Sequence, residues 1–202
     1  MYMESIAIVG IGCRLPGANS PEALWELLLR GDSCITTVPS DRWNKDELYN
    51  SDPTVPGKMN SQYGAFLDDI THFDAEFFGI SPREAQHMDP QQRLLLEVVW
   101  EAFEDGGFSV KRLPSNETGV FVGIMSSDHT NLALGDLYNM NAHTGAGIGY
   151  CLVANRISYQ LNLGGPSIAV DTACSSSLVA THMACQSLRT RETDIAVAAG
   201  VN

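Results

Sequence analysis

"SIAVDTACSSSLVATHMACQSL", Ser167 to Leu188, passes from a short β-branched, apolar run into a long helix-compatible one. The run ending at Asp171 has the character of a buried strand, and Ala173 to Leu188 suits a helix, so the two are predicted to meet in a very tight corner at Asp171 and Thr172. Either residue can cap the helix, which places Cys174 in the first helical turn. First-turn N–H groups lack partners within a helix and carry the positive end of its dipole. They can stabilise a thiolate, or an oxyanion forming on a carbonyl joined to the same sulfur.

The residues around the sulfur are small: Ala173, Ser175, Ser176, Ser177, Ala180 and Ala184. Small side chains let other elements approach the helix and leave a channel in front of the thiol. The logic resembles the nucleophile elbow of hydrolases, with sulfur in place of oxygen. His182 lies eight residues further along the same helix, a rise of roughly 12 Å, too far for a direct hydrogen bond; it reads as a helix-packing residue. His72, His87, His129 and His143 fall in loops or near helix ends, and nothing local marks one as a base. The local pattern therefore leaves Cys174 open between a nucleophile and a packed thiol.

Outward from this corner the chain alternates β-branched runs with helical stretches, the mark of an α/β architecture. "SIAIVG" (Ser5–Gly10), "TGVFVGI" (Thr118–Ile124), "PSIAVD" (Pro166–Asp171) and "DIAVAAGV" (Asp194–Val201) are predicted strands, and their near-continuous apolar character suggests a sheet covered on both faces. "SPEALWELLLRG" is framed as a helix by Ser20, Pro21 and Gly31, with Leu24, Leu27 and Leu28 on one side. "DPQQRLLLEVVWEAFEDGG" repeats the device with Asp89, Pro90, Gly106 and Gly107; its DPQQR cluster is first a helix start and second a packing site. "TGAGIGYCLVANRISYQLNL" (Thr144–Leu163) is predicted to be one helix, in which Arg156 is an ion-pairing residue. Residues from Cys34 to Gly79 lack periodicity and read as a surface excursion carrying short elements, with Asp68 and Asp69 in a solvated turn.

"GIGCRLPG" (Gly10–Gly17) follows a predicted strand but is not a dinucleotide loop, because Leu15 stands where the third glycine belongs and Pro16 follows. "GAGIGY" fails in the same way at Tyr150, and helix packing through small residues is the better reading.

The 202 residues are 44% apolar and suffice for one sizeable core. Twenty-four acidic against twelve scattered basic residues, a formal charge of −12, disfavour nucleic-acid binding. No run of about 18 apolar residues suggests a membrane span, and the start of the chain, which includes Glu4, lacks a basic leader. A cytoplasmic protein is expected. Cys13, Cys34, Cys151, Cys174 and Cys185 are odd in number and form no CxxC pair, so neither a disulfide framework nor a metal site is expected. Cys13, Cys151 and Cys185 read as core residues.

"VDTACSSSLVA" resembles the active-site signature of the β-ketoacyl synthases, the condensing enzymes of polyketide and fatty-acid assembly. "IAIVGIGCRLPG", "FFGISPREAQHMDPQQRLLLEVVWEAFEDGG" and "NRISYQLNLGGPS" extend the likeness over nearly the whole chain. "FFGISPREA" followed by "MDPQQRLLLE" is similar to the ketosynthase domains of modular, type I polyketide synthases. The resemblance implies a thiolase-like α/β fold layered α-β-α-β-α, of which residues 1–202 are the N-terminal half, truncated at the C-terminal end.

The resemblance further implies that Cys174 takes an acyl chain as a thioester, with its own N–H as one oxyanion donor. A malonyl-type extender on acyl carrier protein then condenses with that thioester after losing carbon dioxide. No cofactor is bound directly, since substrates ride on the phosphopantetheine of the carrier protein. Partners are the carrier protein, acyltransferase and other synthase domains, and a second copy in a homodimer paired through Ser167, Ile168, Ala169, Val170 and Asp171. The family also uses two later histidines, one in a His-Gly-Thr-Gly-Thr stretch, and a glycine-rich loop that supplies the second oxyanion donor. None occurs before Asn202, so these residues alone are expected to be inactive. Two alternatives remain: a non-elongating ketosynthase that only transfers or binds acyl chains, and a structural dimerisation half. Retention of Cys174 argues against the last, and against decarboxylating variants with glutamine at that position.

Overall fold

Serine before proline, and glycine just after Arg30, start and stop the first helix where the sequence places them. The computed structural model describes residues 5–113, 117–135, 138 and 140–202; Met1 and Glu4 lie outside that set. The chain divides into two compact units, one of Cys13–Asp69 and one of Ile70–Asn202 with the stretch ending at Gly12.

In the unit Cys13–Asp69, Ser20 Oγ accepts from Ala23 N and caps α1 (Pro21–Arg30), while Gly31 turns left-handed at φ 69° and donates back to Leu27 and Leu28. Only glycine adopts that conformation without strain. Leu24 and Leu27 are half-buried, but Leu28 is 62% exposed, so the leucine face is narrower than its spacing suggests. β1 (Thr36–Thr37) pairs antiparallel with β2 (Tyr63–Gly64), and α2 (Lys45–Leu48) lies between them in sequence. The Thr54 hydroxyl and then the Thr54 N–H donate to Asp52 at 2.7 and 2.9 Å, holding that carboxyl below its usual range. Arg42 Nη2 donates to the Leu67 carbonyl, and Asp68 and Asp69 are exposed. The expected run of short elements is thus present, but its unit begins at Cys13, takes in α1, and ends ten residues before Gly79.

The second unit is built on a parallel sheet in the order β4-β3-β5: β3 (Thr118–Ile124), β4 (Ser167–Val170) and β5 (Ile195–Val201). Its helices are α3 (Pro82–His87), α4 (Pro90–Asp105), α5 (Asp128–Leu134), α6 (Thr144–Ile148), α7 (Cys151–Gln160) and α8 (Ser176–Arg189). Every residue of β3 is buried. Alternation divides them: Val120, Val122 and Ile124 join the core formed with α4 and α7, whereas Phe121 packs with Ala180 and Ala184 of α8. This makes three layers, with α4 and α7 on one face of the sheet and α8 on the other.

Asp89 Oδ1 accepts from Gln91 N to start α4, which buries Leu95, Leu96, Val99 and Phe103 at helical spacing. Each such side chain contributes about 1.5 to 3 kcal/mol of transfer free energy.

Two expected elements differ. Residues 5–10 form no strand; Ile8 is 83% and Val9 57% exposed. Among the described residues no strand lies beside them, and they run instead against α4, where Ile11 N donates to Asp105 Oδ2 at 2.8 Å. A Cβ at Gly10 would sit 2.1 Å from Ala102 O, and one at Gly12 2.3 Å from Val98 O. These glycines serve close packing on a helix.

The single helix expected from Thr144 is two, because Gly149 is extended (φ −72°, ψ 125°) and separates α6 from α7. Gly147 in α6 has a packing role too: a Cβ there would fall 1.8 Å from His87 O, backbone that cannot rotate away. Gly147→Ala should therefore destabilise the intact protein by about 1 to 3 kcal/mol. An unshifted urea midpoint would count against this contact. Among the described residues, no helix is long and apolar enough to cross a membrane.

Candidate active site

The corner after β4 is longer than the sequence suggests. β4 ends at Val170 and α8 begins at Ser176, with Ser175 as its cap, so Cys174 stands just ahead of the helix and not in its first turn. The cause lies in the side chains between. Asp171 Oδ1 accepts from Ala173 N at 2.9 Å, and Thr172 N donates to Ser176 Oγ at 2.9 Å. Ser176 Oγ donates in turn to Ala173 O at 2.6 Å, and Ser175 Oγ donates to Thr172 O at 2.8 Å. Short polar side chains thus satisfy backbone groups that would otherwise enter a helix. Neither Asp171 nor Thr172 is the helix cap.

Ala173 pays for this geometry with φ 57°, left-handed backbone that costs an L-residue about 1 to 2 kcal/mol. Strain held this firmly, immediately before an exposed thiol, is the kind found at functional sites. Cys174 itself is exposed. Behind it, α8 buries the narrow stripe Ser176, Ala180, Ala184 and Ser187, which explains why the sequence there is so rich in small residues.

Four of the five histidines fall in two places. His182 is exposed on α8, which corrects the packing role expected of it: the buried stripe runs through Ala180 and Ala184 and leaves position 182 outward. His129, His143 and Asn141 gather around His87, a cluster that their separation in sequence concealed. His87 Nε2 lies 2.7 Å from Asn141 Nδ2 and its Nδ1 2.9 Å from Arg83 O, so the neutral ring with hydrogen on Nδ1 fits both contacts. His129 Nε2 is 3.4 Å from His87 O, and the His87 and His143 ring centroids are 6.5 Å apart. Among the described residues, no histidine hydrogen-bonds Cys174.

Arg156 is the ion-pairing residue the sequence suggested. Its side chain is 9% exposed, and Nη1 lies 2.6 Å from Glu84 Oε1. Nε donates to Gln92 Oε1 at 2.8 Å, and Gln92, fully buried in α4, donates to Gly147 O at 2.9 Å. Sequence reasoning missed Gln92; its place inside the DPQQR cluster was the available signal. Gln91 Nε2 donates to Ser126 O at 3.2 Å, so the cluster is indeed both helix start and packing site.

Of the other cysteines, Cys13, Cys34 and Cys185 are half-buried and Cys151 is exposed. The core role expected of Cys151 fails because it opens α7 just past the break at Gly149, and neither Cys13 nor Cys185 is fully enclosed. A 780 Å³ cleft lined by Phe77, Phe78, Trp100 and Leu161 opens on the α4 side of the sheet and offers no thiol. Ser167 to Val170 form an edge strand whose residues are all half-buried, with Ser158 Oγ donating to Ser167 Oγ at 2.8 Å.

Residues 3–202 match the family model "Beta-ketoacyl synthase, N-terminal domain". The chain is 50% identical over 200 residues to a phenolphthiocerol/phthiocerol polyketide synthase of Mycobacterium tuberculosis, covering 98% of this chain and 13% of that protein. It is 50% identical to a mycocerosic acid synthase-like polyketide synthase of Mycolicibacterium smegmatis, covering 98% of this chain and 9% of the relative. Among solved structures, an oxazolomycin ketosynthase domain from Streptomyces albus superposes with a TM-score of 0.87 at 43% identity, over 96% of this chain and 33% of that one. A ketosynthase from module 6 of the Bacillus subtilis bacillaene synthase gives 0.83 at 40%, over 97% and 31%. The fold is therefore thiolase-like, as the resemblance implied, and the chain spans about a third of these ketosynthases and a smaller share of the curated relatives. The chain belongs to the β-ketoacyl synthase family, and the part of that family it matches is the N-terminal domain.

Proposed function

We propose that this chain is the acyl-accepting N-terminal half of a ketosynthase domain in a polyketide synthase, a carbon–carbon bond-forming acyltransferase with Cys174 as nucleophile. The observation that carries the reading is the exposed thiol on a strained, hydrogen-bonded elbow between the carboxyl end of β4 and the start of α8. Open α/β sheets place their chemistry at the carboxyl ends of strands.

The Cys174 thiolate attacks the carbonyl of an acyl thioester on the phosphopantetheine of an acyl carrier protein. The bond to the carrier sulfur breaks, and that sulfur leaves as a thiol with one proton. The Cys174 N–H supplies one hydrogen bond to the oxyanion. A malonyl-type extender on a carrier protein then breaks its bond to the carboxylate and releases carbon dioxide. Its carbanion equivalent bonds to the acyl carbonyl carbon, and the Cys174 thiolate departs. The β-ketoacyl chain ends on the carrier. Covalent catalysis thus separates acyl transfer from bond formation.

Residues outside this chain supply decarboxylation and the second oxyanion donor in this reading. The acyltransferase and other synthase domains are the remaining partners, and the setting is cytoplasmic. The edge position of β4 supports a homodimer in which Ser167 to Asp171 of two copies pair in an isologous interface. Incubating the intact protein with an acyl thioester and mapping the mass increase by peptide sequencing tests the proposal. The label should fall on the peptide holding Cys174; label on another cysteine, or none, would refute it.

A further inference from the structure

Resting on the reading of Cys174 as nucleophile, we infer that Gly123 and Gly200 are its positioning residues: their missing side chains let the start of α8 descend onto the sheet and so fix the elbow. Val170, Gly123 and Gly200 form one row across the three parallel strands, and Val170 is the residue that feeds the elbow. Neither glycine has left-handed backbone, so conformation does not call for glycine at these positions. Space does. A Cβ on Gly123 would lie 2.4 Å from both Ser176 C and Ser177 N, and one on Gly200 would lie 2.5 Å from Ser177 Cβ.

The same helix start holds the elbow. Ser176 Oγ accepts from Thr172 N and donates to Ala173 O, bracketing Cys174 on the chain. A methyl group on either strand therefore acts on the elbow through Ser176 and Ser177, with no contact to substrate needed. The two positions differ in a way that separates this role from simple destabilisation. At Gly200 the obstacle is a side-chain carbon, and once it is removed the next atom is Ser177 Cα at 3.5 Å, an ordinary contact. At Gly123 the obstacle is backbone.

The experiment compares the rate of Cys174 acylation by an acyl thioester in the intact parent, Gly200→Ala, Gly200→Ala/Ser177→Gly and Gly123→Ala/Ser177→Gly proteins. Iodoacetamide alkylation serves as a measure of thiol access. Gly200→Ala should be acylated about 10- to 100-fold more slowly, the scale of an ångström-sized displacement of a reacting group, with alkylation changed much less. Adding Ser177→Gly should restore Gly200→Ala to within about twofold of the parent but should not restore Gly123→Ala.

Should Gly200→Ala fail to fold, the double variant decides: folded and acylated near the parent rate, it supports the inference; folded and slow, or still unfolded, it overturns it. A folded Gly200→Ala protein acylated at the parent rate also overturns it, and leaves the nucleophile reading intact. A parent that is not acylated at all ends both.

Discussion

Cys174→Ala is expected to abolish the acyl-enzyme and to lower ketoacyl formation by the intact protein about 10³-fold or more, the scale on which covalent nucleophiles fail when deleted. The side chain is exposed, so its loss opens no cavity and leaves the elbow's hydrogen bonds among Asp171, Thr172, Ala173, Ser175 and Ser176 in place. Thermal unfolding should therefore shift little while turnover collapses. Cys174→Ser sharpens the point: it keeps the size of the side chain but offers a hydroxyl, which needs a base within hydrogen-bond reach to become nucleophilic. No histidine among the described residues stands there. Unless residues outside this chain bring a base to the elbow, serine should be nearly as inactive as alanine. Serine activity within tenfold of the parent would mean that a base approaches the elbow from outside these residues.

The parts of this molecule legible in the sequence are those written in local chemistry. Ser20-Pro21 and Asp89-Pro90 announce helix starts, and Gly31 and Gly107, both left-handed, announce stops, because capping and left-handed turns depend on a few adjacent residues. The three strands of the parallel sheet are equally plain, since burial on both faces demands an unbroken apolar run such as Val120 to Val122.

What failed depended on neighbours. "SIAIVG" has the composition of a strand, yet a strand needs another beside it, and here the run lies on α4 through Gly10 and Gly12. The elbow was placed correctly and measured wrongly. Three polar side chains, Asp171, Ser175 and Ser176, competing for the backbone delay α8 to Ser176, and no propensity scale records such a local network. His182 shows the same limit from another side, because a stripe of alanines and serines decided which face of α8 is buried.

Arg156→Ala should cost about 3 kcal/mol of stability, toward the low end of the range for breaking a buried ion pair because Glu84 is 28% exposed and water can reach it. The loss has two sources. Glu84 keeps its charge without its partner, and Gln92 Oε1, in a side chain that is 1% exposed, loses the donor that satisfies it. The arginine also joins elements: Glu84 belongs to α3, Gln92 to α4, and Arg156 Nη2 reaches Ala146 O in α6 at 3.4 Å. Lysine at this position presents one charge where a planar fork is used, so Arg156→Lys should recover less than half of the loss. Urea unfolding of Arg156→Ala, Glu84→Ala and the double variant separates charge from packing. If the ion pair carries the effect, the double variant should be less damaged than the sum of the singles by about 1 to 3 kcal/mol, because removing both charges leaves neither stranded. An additive cycle would assign the loss instead to the aliphatic stem of Arg156 packed within the helix layer.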